Sequence, residues 1–368
     1  MGVWRLVRLQ FGRCPAHFGE LGIGMEASSE RMRSDSLFSA WLSAYARLQS
    51  KETVSALIDQ FKSESPPFQL SSTFIYHSYN NECVYYLPRP LKPPLGFSHD
   101  DQVKFNKPFK ALKYLPLSIW QRWYQGKGFT ESDRQELSGN SQHKALANAG
   151  LFNYDDAYKI HQVPRSSIDR TTRATNLYHT GFVQYHWQPN PAAPDRIESL
   201  SGLYFLVHFP SPDPELEQLF FKVLNFLGSE GIGGERSSGA GQFHVDLNAT
   251  RELPTQWQQV IDYAAGQSYS LLSLFWQKSL STEMLHNASY SLQERGGWIT
   301  SPASDGRQQR RKSVQMFTEG SVFQRLPVGH LADVTPTEFT DHSIYRSGIS
   351  LSLPLNVQEN HEQENGND

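Results

Sequence analysis

The chain has 368 residues, 38% hydrophobic and 19% charged, with a formal net charge of −3. That balance fits a soluble globular protein with material for two cores, and it excludes one that coats polyanions over its whole surface, so any nucleic-acid site must be a local patch. Two cysteines, Cys14 and Cys83, cannot build a disulfide framework or a cysteine zinc site, and the thirteen histidines show no metal-ligand spacing.

Arg5, Arg8, Gln10 and Arg13 break the apolar N-terminus as a signal-peptide core, and no run of about 18 apolar residues spans a membrane, so a cytoplasmic protein is expected. Val7, Leu9 and Phe11 alternate with Arg8 and Gln10, which predicts a strand with one buried face. After a glycine-containing turn, Ser34 is placed to cap a helix whose apolar stripe is Leu37, Phe38, Trp41, Leu42, Tyr45 and Leu48. A second helix around Val54, Leu57, Ile58 and Phe61 ends before Pro66-Pro67. Phe68 to His77 and Cys83 to Leu87 read as strands joined by an Asn80-Asn81 turn. Strand, helix, strand, strand is most of a ferredoxin-like unit, a fold used by RNA-recognition domains.

Residues 88–150 read differently, as an insertion. Six prolines from Pro88 to Pro116 alternate there with Lys104, Lys107, Lys110 and Lys113, and helix is expected only from Leu117 onward. The first pattern restarts at Gly202, with a strand to Phe209 and a helix opened by Asp213-Pro214. Leu216, Leu219, Phe220, Val223, Leu224 and Leu227 give that helix its apolar face, and Gly228 is expected to end it. A glycine-rich loop follows, then a strand through Phe243, Val245 and Leu247, with a last strand near Ile349, Leu351 and Leu353. The expected fold is α+β with two ferredoxin-like domains. The first covers 1–165 and carries the 88–150 insertion; the second covers 166–356 and carries the loop 231–241. A Glu-, Gln- and Asn-rich tail, 357–368, has a disordered composition.

The loop from Gly231 to Gly241 (Gly-Ile-Gly-Gly-Glu-Arg-Ser-Ser-Gly-Ala-Gly) is the most informative segment. Glycines allow close backbone approach, and successive N–H groups form a concavity suited to phosphate. It is not a P-loop, lacking the lysine and the following helix, and it is not a dinucleotide fingerprint, since Arg236 and His244 stand where glycine is required. A flexible turn is the plainer alternative, but a cradle for an RNA backbone accounts for more of the residues. Arg165, Arg170 and Arg173, with hydroxyls between them, form a second basic patch or a solvated connector. Arg295, Trp298 and the run Arg307, Arg310, Arg311 and Lys312 form a third, in which Trp298 could stack on a base. His17 invites a general acid-base reading with Glu20 or Asp35 as its orienter, although a lone histidine more often makes structural hydrogen bonds.

Taken in order, these segments resemble a known family. Pro15-x-His17-Phe18-Gly19-Glu20, Ser34-Asp35-x-Leu37-Phe38-Ser39-Ala40, Pro164-Arg165-x-x-Ile168-Asp169-Arg170, Gly202-Leu-Tyr-Phe205, the glycine loop and Glu319-Gly-Ser-Val322 are similar to the fourth subunit of the Csm, or type III-A, CRISPR complex. That family belongs to the RAMP superfamily, in its Cas-five-like group. The resemblance implies a non-catalytic subunit that holds the repeat-derived 5′ tag of the crRNA beside a large polymerase/cyclase-type subunit and a backbone RAMP subunit. It implies no metal, cofactor or small-molecule substrate. On this reading the RNA-binding residues are His17, Arg33, Ser34, Arg165, Arg170, Gly231, Gly233, Gly234, Arg236, Ser237, Ser238, Gly239, Gly241, Arg295 and Trp298. The alternative is a metal-independent crRNA-processing endonuclease using His17.

Overall fold

A computed structural model describes residues 2–20, 24, 26–80, 82–139, 146, 148–149, 152–246, 252–299 and 309–358. Strand β1 (Val3–Gln10) leads to helices α1 (Ser34–Leu48) and α2 (Lys51–Lys62), then to the hairpin of β2 (Phe74–Tyr79) and β3 (Glu82–Pro88). Asn80 takes the left-handed conformation, φ 45°, at the hairpin turn. Ser34 begins α1 but does not cap it: Arg33 holds the cap position and no side chain closes that end. Its hydroxyl instead accepts the N–H of Leu274 at 2.9 Å, which ties α1 to the C-terminal part of the chain.

The insertion becomes helical earlier than its prolines suggested. Helix α3 (His99–Ala111) starts at a reciprocal Ser98–Asp101 capping box and carries Pro108 inside it. Lys104, Lys107 and Lys110 are exposed along it. Strand β4 (Tyr114–Pro116) pairs with β3, and helices α4 (Leu117–Gln125) and α5 (Glu131–Leu137) follow.

Next come a long hairpin of β5 (Tyr158–Ile168) and β6 (Thr175–Tyr185), the short β7 (Trp187–Asn190), and the 17-residue β8 (Ala193–Phe209). Here the structure departs from the expected domains. The strand at Gly202 opens no second sheet. It lies between β1 and β2, pairing Leu9 with Leu203 on one side and Phe74 with Tyr204 on the other. Helix α6 (Pro214–Glu230) packs on the same face as α1, and β9 (His244–Val245) closes the far edge beside β1. The sheet therefore runs β9-β1-β8-β2-β3-β4. The boundary expected between 165 and 166 falls within β5.

Alternation along these strands builds two cores rather than one buried face. Val7, Leu9, Phe205 and Val207 point toward Phe38, Trp41, Phe220 and Leu224 of the helices. Leu6, Phe74, Tyr204 and Leu206 point the other way, toward Trp120 and Trp123 of α4 and toward Leu351 and Leu353. The apolar run in β8 is thus a central strand covered on both sides. Asp213 does cap α6, accepting from Glu215 and Leu216, with Pro214 in the first turn; the helix runs past Gly228 and stops at Gly231. Phe243 precedes β9, while Leu247, Arg307 and residues 359–368 of the tail lie outside the described residues.

Beyond α7 (Thr255–Ile261), the C-terminal part holds β10 (Ser268–Leu271) and β11 (Leu292–Arg295), then β12 (Val314–Phe317) and β13 (Val322–Phe323). It ends with β14 (Leu331–Asp333), β15 (Tyr345–Ser347) and β16 (Ser352–Leu355). These form a three-stranded sheet, β13-β10-β16, and the ribbons β11-β12 and β14-β15, all antiparallel.

Candidate nucleic-acid interface

The glycine loop is built on backbone contact. Gly231 ends α6 at φ 88°, its N–H bonded to the Leu227 carbonyl at 2.8 Å. The chain then doubles back: the Ile232 N–H donates to Gly241 at 2.9 Å, and the Gly241 N–H donates to Pro15 at 2.8 Å. The Gly234 N–H reaches the His17 carbonyl at 2.9 Å. A Cβ on Gly241 would stand 2.0 Å from the Ile232 oxygen and one on Gly233 2.2 Å from that of His17, and both glycines have positive φ. A Cβ on Gly234 would meet the His17 ring at 2.6 Å. These glycines press the loop onto residues 15–17. What they present outward is a single 3-10 turn, Arg236–Ser238, between the left-handed Glu235 and Gly239. Arg236, Ser237, Ser238 and Gly239 are all exposed, and Arg236 forms no ion pair among the described residues.

His17 lies beneath that loop, buried, its Nδ1 2.7 Å from the Gly181 carbonyl. A carbonyl only accepts, so Nδ1 carries the proton and the tautomer is fixed by structure rather than by a catalytic partner. Its ring edge meets Phe182. Neither expected orienter faces it: Glu20 binds Arg33 and Arg295, and Asp35 binds Arg295 and Arg346.

Those carboxylates belong to a buried ion network that also takes up Arg33 and Arg295, two residues expected to touch RNA, while Ser34 beside it bonds Ser72 and Leu274. Glu319 receives both terminal nitrogens of Arg31, at 3.2 and 3.1 Å, and further donors from Arg33 and Ser72. Arg295, 2% exposed, grips Asp35 at 2.9 and 3.1 Å and also reaches Glu20. Arg33, Ser34 and Arg295 thus join α1 to the C-terminal strands, and they do not lie on an open basic face. Burial opposes the charge on Asp35, but Arg295 and Arg346 outweigh it and pull its carboxyl down to about 2. Burial likewise opposes the charge on Glu319, and Arg31 and Arg33 hold it well below the usual carboxylate range. Arg31, Glu319 and Arg346 escaped sequence reasoning as a set because they come from distant segments; the available signal was one acid, Glu319, between the apolar pairs Met316-Phe317 and Val322-Phe323.

Of the other arginines expected to bind RNA, Arg165 is half-buried and Arg170 is exposed. In the β5-β6 hairpin, paired from Tyr158–Tyr185 to Ile168–Thr175, Arg165 lies 5.8 Å from the Phe182 ring. Arg170 and Arg173 sit exposed at a tip that Asp169 organises, accepting from Thr171 and Thr172 at 2.7 and 2.9 Å. Ile168 and Leu177 are 65% and 74% exposed beside them. Residues 13–17 run between this hairpin and the glycine loop, bridging Ala16 to Val183 on one side and Pro15 to Gly241 on the other. Arg165, against Phe182, and the turn Arg236–Gly239 therefore lie on either side of this strip, whereas Arg170 stands at the far tip of the hairpin, beyond the Ile168–Thr175 pair. Trp298, 39% exposed and bridged to Arg310, belongs to the C-terminal part.

The comparisons with known proteins bear on this arrangement as a whole. Residues 264–355 match the family model described as the CRISPR Csm4 C-terminal domain. The chain is 26% identical over 335 residues to the "CRISPR system Cms protein Csm4" of Thermococcus onnurineus, covering 89% of this chain and 92% of that protein. It is 24% identical over 355 residues to the protein of the same description in Mycobacterium tuberculosis, covering 95% and 97%. Residues 264–355 thus carry the Csm4 C-terminal domain, and the chain is similar to Csm4 proteins over nearly its whole length. A chain of the solved Csm3-Csm4 subcomplex in the type III-A CRISPR-Cas interference complex has the same fold, with TM-score 0.58 and 18% identity over 96% of this chain and all of that one. Mixed α/β architecture with antiparallel sheets is thus a property this chain shares with a solved structure. No helix among its described residues is long and apolar enough to cross a membrane.

Proposed function

We propose that this chain is a Csm4-type subunit: a non-catalytic, cytoplasmic, crRNA-binding member of a type III-A CRISPR effector complex. It holds the repeat-derived 5′ tag and joins the large polymerase/cyclase-type subunit to the backbone RAMP subunit. The observation that carries the reading is the exposed turn Arg236–Gly239, held by backbone hydrogen bonds on residues 15–17 across from Arg165 of the hairpin, in a chain that matches Csm4 relatives over nearly its whole length. A guanidinium without an ion-pair partner on a fixed turn suits phosphate, and hairpin arginines suit a single strand whose sequence need not be read by the turn itself. We read the order β9-β1-β8-β2 as one ferredoxin-like unit assembled from both halves of the chain, with the C-terminal strands as a second RAMP element. The buried, carbonyl-bound His17 supports a subunit that binds and does not cut.

The test is co-purification with the neighbouring Csm subunits, followed by crosslinking to crRNA labelled in its 5′ tag. Crosslinks are expected near residues 231–241. Arg236→Ala with Arg165→Ala should weaken capture of tagged crRNA and lower the slope of log affinity against log salt by about one for each phosphate no longer neutralised. Unchanged loading would overturn the binding role. Specific cleavage of repeat RNA in EDTA, abolished in His17→Ala, would overturn the non-catalytic part.

A further inference from the structure

Where the hairpin meets β7 there is an open groove of about 890 Å3 that includes none of the residues assigned above. Its chemistry is mixed in a particular way. Trp187 and Tyr158, both half-buried, supply aromatic surface, and the Arg13 guanidinium lies 4.2 Å from the Trp187 ring centroid. Arg13 is exposed and has no ion pair among the described residues, so the tryptophan is its partner. Lys159 and Gln184 line the same space and are exposed, and Asp156 is the one carboxylate among the lining residues. A purely apolar protein partner would leave Lys159, Gln184 and Asp156 desolvated without need. A flat heteroaromatic ring with polar edges and an attached phosphate uses all of them.

The groove also adjoins the glycine loop through the chain itself. Directly after Arg13, the Cys14 thiol lies 3.2 Å from the Gly239 carbonyl, and Pro15 accepts from Gly241. We propose that the groove holds one unstacked nucleobase of the bound RNA, stacked against the Trp187–Arg13 pair. Gln184 and Asp156 face its polar edge, and Lys159 faces an adjoining phosphate. Stacking and a guanidinium plane suit a splayed single-stranded base. The inference rests on the RNA-binding reading above and adds to it a place where one base, rather than the backbone, is held.

The experiment is a coupling measurement on the full chain by fluorescence anisotropy. The probe is a tag-sequence oligoribonucleotide in which a single abasic site is walked along the strand. One position is expected to weaken binding to the wild type by about 5- to 150-fold, the range for loss of one base–aromatic stack. In Trp187→Ala the same abasic site should cost nothing further, while Trp187→Phe keeps its sensitivity. Should Trp187→Ala fail to fold, Arg13→Ala, on an exposed side chain, carries the same coupling. Binding that depends on Arg236 but shows the same abasic penalties in every variant overturns the groove and leaves the RNA-binding role standing. Failure of the wild type to bind the intact oligonucleotide overturns both. Assembly with a partner subunit that depends on Trp187, without any abasic-sensitive position, assigns the groove to a protein side chain and also overturns the inference.

Discussion

Glu319→Gln is expected to cost about 3–5 kcal/mol of folding stability, the range for breaking a buried ion pair from one side. The Glu319 side chain is 2% exposed and accepts from Arg31, Arg33 and Ser72 at once. Removing its charge leaves Arg31, itself 6% exposed, as a buried cation whose strongest counter-charge is gone. The exposed pair Arg47–Glu230 provides the contrast: Arg47→Ala should change stability by about 0–1 kcal/mol. Urea unfolding of the three proteins checks the comparison, and equal midpoints for all three would refute it. The network also sets an acid limit. Asp35 and Glu319 have folded values below their unfolded values, which are about 3.9 and 4.3. A depressed carboxylate contributes fully above its unfolded value, so stability from this network should hold above about pH 4.5 and fall as the pH drops toward 2. In Glu319→Gln the acid-dependent loss should shrink.

Much of the local structure is legible in the residues. The stripe of α1, the Asp213-Pro214 start of α6 and the Asn80 turn depend on neighbours within four residues, and periodicity and capping chemistry register such neighbours. Two features are hidden because they depend on residues far apart. β8 reads as the start of a new unit because its order in the chain follows a completed strand-helix-strand-strand pattern. Only its lack of alternation, apolar from Leu203 to Val207, signals that both faces are covered and that it belongs inside an existing sheet. Arg33 and Arg295 look like surface cations for the same reason: their partners Glu20, Glu319 and Asp35 lie between 13 and 286 residues away. The exposed Arg236 and Arg170 have no such partner among the described residues, and the sequence alone could not separate the two kinds of arginine.

The glycine loop yields the other large expected effect. Gly241→Ala should destabilise the chain by about 2–5 kcal/mol, combining the cost of a left-handed residue with that of overpacking. Its φ is +80°, and its Cβ would stand 2.0 Å from the Ile232 oxygen. That oxygen belongs to backbone, so the loop must move, and moving it breaks the hydrogen bonds to Ile232 and Pro15 that hold Arg236–Ser238 in place. Gly239→Ala separates the two causes. Its φ is +85°, but nothing lies within 4 Å of its Cβ, so only the conformational cost of about 1–2 kcal/mol applies. If the glycines serve close packing, Gly241→Ala loses more stability than Gly239→Ala, and with it the crosslink between the loop and tagged crRNA. Equal losses from the two substitutions would mean that left-handed geometry alone is what the loop requires. In that case the rigid seating of Arg236 on residues 15–17 would have no bearing on how the turn presents its guanidinium.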